Sequence, residues 1–309
     1  MRVVFWGSPA FAVPILEVLL ASPHEVVGVV SQPARPKGRG RGVAATPVAE
    51  RAAAEGLPVL TPGKPRGDDF LERLVAFDGE VFLVAAYGQI LPRAVLETPP
   101  RGALNVHASL LPAYRGAAPV TRAILDGRRV TGVTIMRMEV GLDTGPICLQ
   151  SEEPIRPDDT AGSLAERLAG RGAGLAVEAL DLLEAGRLIE TPQDDRLATS
   201  APKVEPAEAR LEWSGTTSLL ERAVRAFDPW PGAWTTWREE RLKVFRLESR
   251  PHDGHGPPGE ILATAPALVV RTGDGAVGFV LVQPPGGRRM SGADWVRGRE
   301  VRPGQRLGE

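Results

Sequence analysis

NVHASLLPAYRGAAPV, residues 105–120, opens as the end of an apolar strand and breaks at once into polar side chains, two prolines and an arginine. The residues before it, GALNVH, are short and apolar, and those after it, PVTRAILDG, space their apolar positions as a helix does. A strand running through a polar loop into a helix is the unit of an α/β sheet. In such sheets ligands lie beyond the carboxyl ends of the strands. Asn105 and His107 sit two apart on the extended segment, so they share a face. That pairing is open to two readings. The amide and imidazole either satisfy a strand end, or they place donors, one of which changes charge near neutrality, over a ligand.

Working outward, the same alternation covers the chain up to about residue 190. RVVFW, EVVGVVS, EVFLVAAYG and TGVTIMRME read as further strands. GSPAFAVPILEVLLAS reads as a helix with Ser8 as N-cap and Pro9 in its first turn, and PVAERAAAEG as another. A long helix is expected over SLAERLAGRGAGLAVEALDLLEAG, weakened where Gly170, Gly172 and Gly174 fall. The expected architecture is a Rossmann-like α/β domain with a largely parallel sheet over 1–189. Polar, proline-punctuated residues 190–208 follow as a linker draped over a surface. Residues 209–309 hold one helix and the β-like runs AWTTW, RLKVFRL, GEILATA, ALVVRT and GAVGFVLVQ, which predict a small β-barrel or sandwich.

Composition narrows the function classes. The chain has 309 residues, 43% hydrophobic and 24% charged, with a net charge of −1, so no whole-protein field steers it to nucleic acid. No apolar run approaches the ~20 residues of a membrane span, and MRVVFWGSPA lacks a signal peptide's core, so a cytoplasmic protein without membrane contact is expected. The lone Cys148 excludes internal disulfides and reads as an inert buried thiol. Only four of the 37 basic residues are lysines, which fits either a GC-rich genome or a hot habitat. One local patch stands out: QPARPKGRGRG packs Arg35, Lys37, Arg39 and Arg41 among prolines and glycines, as a solvated loop or a phosphate contact.

Two further loops follow strand ends. GSPAF is not G-x-G-x-x-G, so a nicotinamide site loses its main support. In EVGLDTGPI, Gly141 and Gly145 bracket Asp143, either as a plain turn or to bring a carboxylate to the neighbouring strand end. Asn105, His107 and Asp143 together would polarise a carbonyl and move a proton. HDGH, with His252 and His255, is too short to claim a metal site, and neither these nor His24 is expected to have a chemical role. No metal is expected.

NVHASLLPAYRGAAPV, followed by TGVTIMRMEVGLDTGPI, resembles the folate-dependent formyltransferases. FWGSPAFA, SQPARPKGRGRG, VAAYGQILP and AFDPWPGAW extend the resemblance over nearly the whole chain, toward the branch that acts on methionyl-tRNA. Ala34 and Ala108 depart from that pattern, where aspartate and glycine are usual, without removing a reactive group. The resemblance implies formyl transfer from 10-formyltetrahydrofolate to the α-amine of methionine on initiator tRNA, by a monomer, with Asn105, His107 and Asp143 catalytic. It places the folate beside Ala86, Tyr87, Gly88, Gln89, Ile90 and Leu91, and beside the loop Ser109, Leu110, Leu111 and Pro112. Arg35, Lys37, Arg39 and Arg41 would enter the acceptor-stem end of the tRNA, and the OB-like C-terminal module would lie along it. Arg115 either anchors its loop or touches substrate. Trp213, Trp230, Trp234, Trp237 and Trp295 are expected mainly in packing. Rival readings are formyl transfer to a nucleotide sugar, to glycinamide ribonucleotide or to water, and a catalytically silent RNA-binding protein.

Overall fold

The computed structural model describes residues 1–37, 42–252 and 255–308. Its chain forms two compact units. The first comprises Met1–Pro119, Val130–Pro154 and Ala165–Pro202; the second comprises Val120–Arg129, Ile155–Leu164 and Lys203–Glu309.

In the first unit the strands are β1 (Arg2–Gly7), β2 (Glu25–Val30), a small hairpin β3 (Arg35–Lys37) and β4 (Gly42–Ala44), β5 (Val59–Leu60), β6 (Val81–Ala85), β7 (Ala103–His107), β8 (Val130–Arg137) and β9 (Ile147–Pro154). Seven of them make one sheet in the order β5-β2-β1-β6-β7-β8-β9. Pairing is parallel from β5 through β7, then antiparallel at β7–β8 and β8–β9. The parallel strands are apolar almost throughout because helices cover both faces. A cluster of Val4, Trp6, Val30, Phe70, Phe82 and Tyr87 fills one side, with Trp6 edge-on to Tyr87 at 5.1 Å between ring centroids.

The helices are α1 (Val13–Leu20), α2 (Pro47–Ala54), α3 (Asp68–Val75), α4 (Arg93–Leu96), α5 (Pro119–Leu125), α6 (Ala161–Glu184), α7 (Thr217–Ala226) and α8 (Gly292–Val296). α2 follows the sequence rules: Thr46 accepts from the Ala49 amide at 3.1 Å, and Pro47 fills the first turn. α1 does not. A 3-10 turn over Ala10–Ala12 intervenes, α1 begins at Val13, and Ser8 caps nothing. Its hydroxyl instead donates to the Tyr87 carbonyl at 3.2 Å and accepts from the Gln32 amide at 3.1 Å. Buried between two strand ends, Ser8 serves partners distant in sequence rather than a local helix end. In α6, Gly172 lies against the sheet, where an added Cβ would meet Val106 Cγ1 at 2.9 Å; Gly170 and Gly174 face open space.

The second unit holds β10 (Trp234–Trp237), β11 (Glu240–Arg250), β12 (Ile261–Ala263), β13 (Val269–Arg271) and β14 (Ala276–Gln283). They form a five-stranded antiparallel sheet in the order β10-β11-β14-β13-β12, the small β domain that the short strands predict and that the resemblance gives as OB-like. Trp213 and Trp295 are buried in this unit, with Trp213 Nε1 donating to Thr235 at 3.1 Å.

Candidate active site

β7 ends at His107, and its register sets Val84 of β6 beside Asn105 and Thr134 of β8 beside His107. His107 is only 6% exposed. Its Nε2 lies 2.9 Å from the Tyr114 carbonyl oxygen, which can only accept, so that nitrogen carries the proton. In the neutral ring Nδ1 is then the open nitrogen, and it faces Asp143 Oδ2 at 3.6 Å. That distance is too long for a direct hydrogen bond but within reach of an ion pair when the ring carries a second proton.

Asp143 stands at φ 54, a left-handed conformation that aspartate tolerates better than most residues. Its Oδ2 also accepts from the Gly116 amide at 2.8 Å. Asn105 is half-buried, and among the described residues no hydrogen bond engages its side-chain amide. The three groups predicted from spacing therefore belong to one site. A carboxylate beside an imidazole edge, with a pair of amide donors in reach, suits a reaction in which a carbonyl oxygen gains charge while a proton moves.

The loop after β7 is held from below. Thr134 Oγ1 donates to the Ser109 carbonyl at 2.7 Å and accepts from the Leu111 amide and from Gln150 Nε2, each at 3.0 Å. Gln150 Nε2 also donates to the Leu111 carbonyl at 2.8 Å, and Ser109 Oγ donates to the Ala113 carbonyl at 2.6 Å. Ser109 and Leu111 are buried, while Leu110 and Pro112 are half-buried. Across the site, Ala86 and Gly88 take positive φ, 48° and 84°. Ala86, Gly88 and Ile90 are exposed, Ile90 at 80%; Gln89 is half-buried and Leu91 buried. The Tyr87 ring turns into the core, where burial pushes its phenol up to about 12. Its carbonyl is occupied by Ser8 and by Gln32 Nε2 at 2.7 Å.

The remaining candidates divide. Arg115 anchors: its guanidinium donates to Gln193 Oε1 at 3.1 and 2.8 Å and to Asp195 Oδ1 at 2.7 Å, leaving 14% of the side chain exposed. Arg35 is exposed at the start of the β3–β4 hairpin, and Lys37 closes β3 opposite Gly42. Arg39 and Arg41 lie outside the described residues. His24 is buried with its two nitrogens facing Asp181 at 3.2 Å and Glu184 at 4.0 Å. Of the tryptophans, Trp213, Trp237 and Trp295 pack in the core; Trp230 is 56% exposed, and Trp234 is half-buried under the Arg241 guanidinium at 4.0 Å.

Residues 1–180 match the family described as formyl transferase, and residues 203–300 match its C-terminal domain. The chain belongs to the formyl transferase family. It is 45% identical over 310 residues to a protein of Streptomyces coelicolor, and 47% identical over 310 residues to one of Thermus thermophilus. Both are named methionyl-tRNA formyltransferase, and both alignments cover all of each chain. Among solved structures, HypX from Aquifex aeolicus in complex with tetrahydrofolic acid is similar at TM-score 0.67 and 21% identity, over 96% of this chain and 47% of that one. In this formyl transferase, sequence reading misses Thr134, Gln150, Gly116 and Gln193. Thr134 and Gln150 carry a weak signal, polar side chains within strands; Gly116 and Gln193 carry none.

Proposed function

We propose that this formyl transferase moves the formyl group of 10-formyltetrahydrofolate onto the α-amine of methionine esterified to initiator tRNA, as a cytoplasmic monomer. The acceptor is supported by full-length identity to relatives that carry that name. The chemistry rests on one observation: His107 Nδ1 faces the Asp143 carboxylate at 3.6 Å beside the unengaged Asn105 amide.

The nucleophile needs little activation, because an α-amine has a pKa of about 7.7–8.0 and esterification lowers it further. The demanding event is negative charge on the formyl oxygen as the amine adds to the formyl carbon. Asn105 supplies N–H donors to that oxygen. With Nε2 committed to Tyr114, His107 contributes through Nδ1, and the adjacent carboxylate stabilises the imidazolium when that nitrogen is protonated. The attacking amine then sheds a proton to Asp143, directly or through water, and the folate nitrogen leaves with a proton returned to it.

The folate is proposed to lie along residues 86–91, of which Ala86, Gly88 and Ile90 are exposed, and along 109–112. Arg35, Lys37, Arg39 and Arg41 are proposed to bind acceptor-stem phosphates, with steep salt dependence. The expected division into residues 1–189, a linker 190–208 and an OB-like module 209–309 is supported only in outline by family matches that end at 180 and resume at 203, inside the segment read as linker.

The test is transfer of labelled formyl to methionyl-tRNA. Asn105→Ala should lower turnover by about 10²–10³ and Asp143→Asn by about 10²–10⁴. Wild-type protein that binds the folate but leaves methionyl-tRNA unformylated would require a different acceptor.

A further inference from the structure

Residues 191–201 read in the sequence as the front half of a linker, yet they run beneath the site and bond to both of its loops. At one end Thr191 exchanges main-chain hydrogen bonds with Ile147, at 2.8 and 2.9 Å. In the middle Gln193 Nε2 donates to the carbonyls of Asp143 at 2.9 Å and Gly145 at 2.7 Å. Its oxygen is held in turn by the Arg115 guanidinium. At the other end Thr199 Oγ1 accepts from the Tyr114 amide at 2.8 Å. Around it the Arg115 amide donates to the Thr199 carbonyl at 2.8 Å and the Ala201 amide to the Arg115 carbonyl at 2.6 Å.

The two loops so tied are those that define the reactive pair. Tyr114 supplies the carbonyl that fixes the His107 ring, and it does so at φ 62. Asp143 is likewise held at positive φ. Neither conformation is the resting choice of a residue bearing a Cβ, so each persists because surrounding bonds over-determine it. Gly116 supplies one such bond, to the Asp143 carboxylate; the strap supplies those to the Asp143 carbonyl and from the Tyr114 amide.

We propose that residues 191–201 are the positioning element of the active site, with Gln193 setting the Asp143 loop and Thr199 setting Tyr114 and, through it, the tautomer of His107. Neither side chain touches the reacting atoms. Each acts through the backbone of a residue that orients them, and displacement of a reactive group by about 1 Å costs about 10² in rate. The inference rests on the formyl-transfer reading of the same site.

Four variants separate positioning from mere support. Gln193→Glu keeps an acceptor for Arg115 but replaces two N–H donors by a carboxylate facing two carbonyls. Thr199→Val removes the acceptor for the Tyr114 amide, whereas Thr199→Ser retains it. Arg196→Ala is the control on the same segment, since Arg196 is exposed and pairs with Asp194. Gln193→Glu and Thr199→Val should each lower kcat by about 10–10²-fold, with KM for folate and tRNA within about twofold and no matching loss of folded protein. Thr199→Ser and Arg196→Ala should keep wild-type kcat. Spectra of nitrogen-labelled histidine should show the neutral His107 ring protonated at Nε2, and a mixture of tautomers in Thr199→Val. Unchanged kcat in both disruptive variants, a loss confined to KM, or a loss that tracks the unfolded fraction would overturn the proposal. The imidazole spectrum decides it independently of the acceptor: a wild-type enzyme inactive on methionyl-tRNA refutes the assigned substrate, while an unaltered tautomer in Thr199→Val refutes the strap.

Discussion

Three glycines in one helix provide a sharp test of how α6 meets the strand that bears the site. Replacing Gly170 or Gly174 by alanine should stabilise the protein by about 0.8–1 kcal/mol each, the ordinary difference in helix propensity. Both are exposed, and an added Cβ at either meets nothing within 4 Å. Gly172 gains the same propensity but is buried, and its new methyl would lie 2.9 Å from Val106 Cγ1 and 3.4 Å from Val133 Cγ1. Both valines are buried in adjacent strands and have stiff β-branched side chains, so neither can swing aside. Overpacking costs about 1–3 kcal/mol, which outweighs the gain and leaves Gly172→Ala destabilising by up to about 2 kcal/mol. Thermal unfolding should show Tm rising by about 2–4 °C for each exposed site and falling for Gly172→Ala. Because Val106 lies between Asn105 and His107 on β7, formyl transfer should also slow in Gly172→Ala alone. An increase in Tm for Gly172→Ala equal to the other two would refute the close packing of α6 on β7.

Other expectations concern single groups. Burial raises the Tyr87 phenol from 10.0 to about 12, so the unfolded chain ionises first. Its contribution, about 2–3 kcal/mol, is intact below pH about 10 and is lost as pH rises to about 12, which denaturant titrations of wild type and Tyr87→Phe across that range would measure. The Cys148 thiol is pushed from 9.0 to about 11, first by burial and then by the charge of Glu190. Its thiolate fraction at pH 8 is therefore about 10²-fold below an ordinary thiol's, and native protein should resist alkylation that the unfolded chain undergoes. Gly116→Ala should abolish transfer and lower Tm, because the site has φ 127 and an added Cβ would lie 2.6 Å from the Ala201 carbonyl oxygen. Burial of the Glu153 carboxylate opposes its charge, but hydrogen bonds from Arg167 and Arg171 prevail and hold it below the usual range. Glu153→Gln should cost about 2 kcal/mol in urea unfolding at neutral pH. In wild type the carboxylate's contribution is lost as pH falls through its depressed pKa.

The sequence pattern shows β7 and β8 because their apolar runs are bounded by turns, and it brings Asn105 and His107 together because a strand has a period of two. β9 escapes notice: ICLQSEEP is polar at half its positions, being an edge strand with one side open. Strand direction escapes as well, so the switch from parallel to antiparallel pairing after β7 is visible only in the fold. Ser8 looks like a cap because caps are local, whereas its partners lie 24 and 79 residues away. The linker composition of 191–201 is real, since the only helical element it forms is a single 3-10 turn over Asp195–Leu197. Composition does not report which carbonyls such a segment will satisfy.

The bond from the Tyr114 amide to Thr199 spans 85 residues. Closing so long a loop is slow compared with forming the local strand and helix units on either side. β7 and its neighbours are therefore in place while the support of Tyr114 is still missing. During synthesis the site cannot be complete before residue 201 has emerged from the ribosome, and a refolding chain should recover its sheet before it recovers turnover.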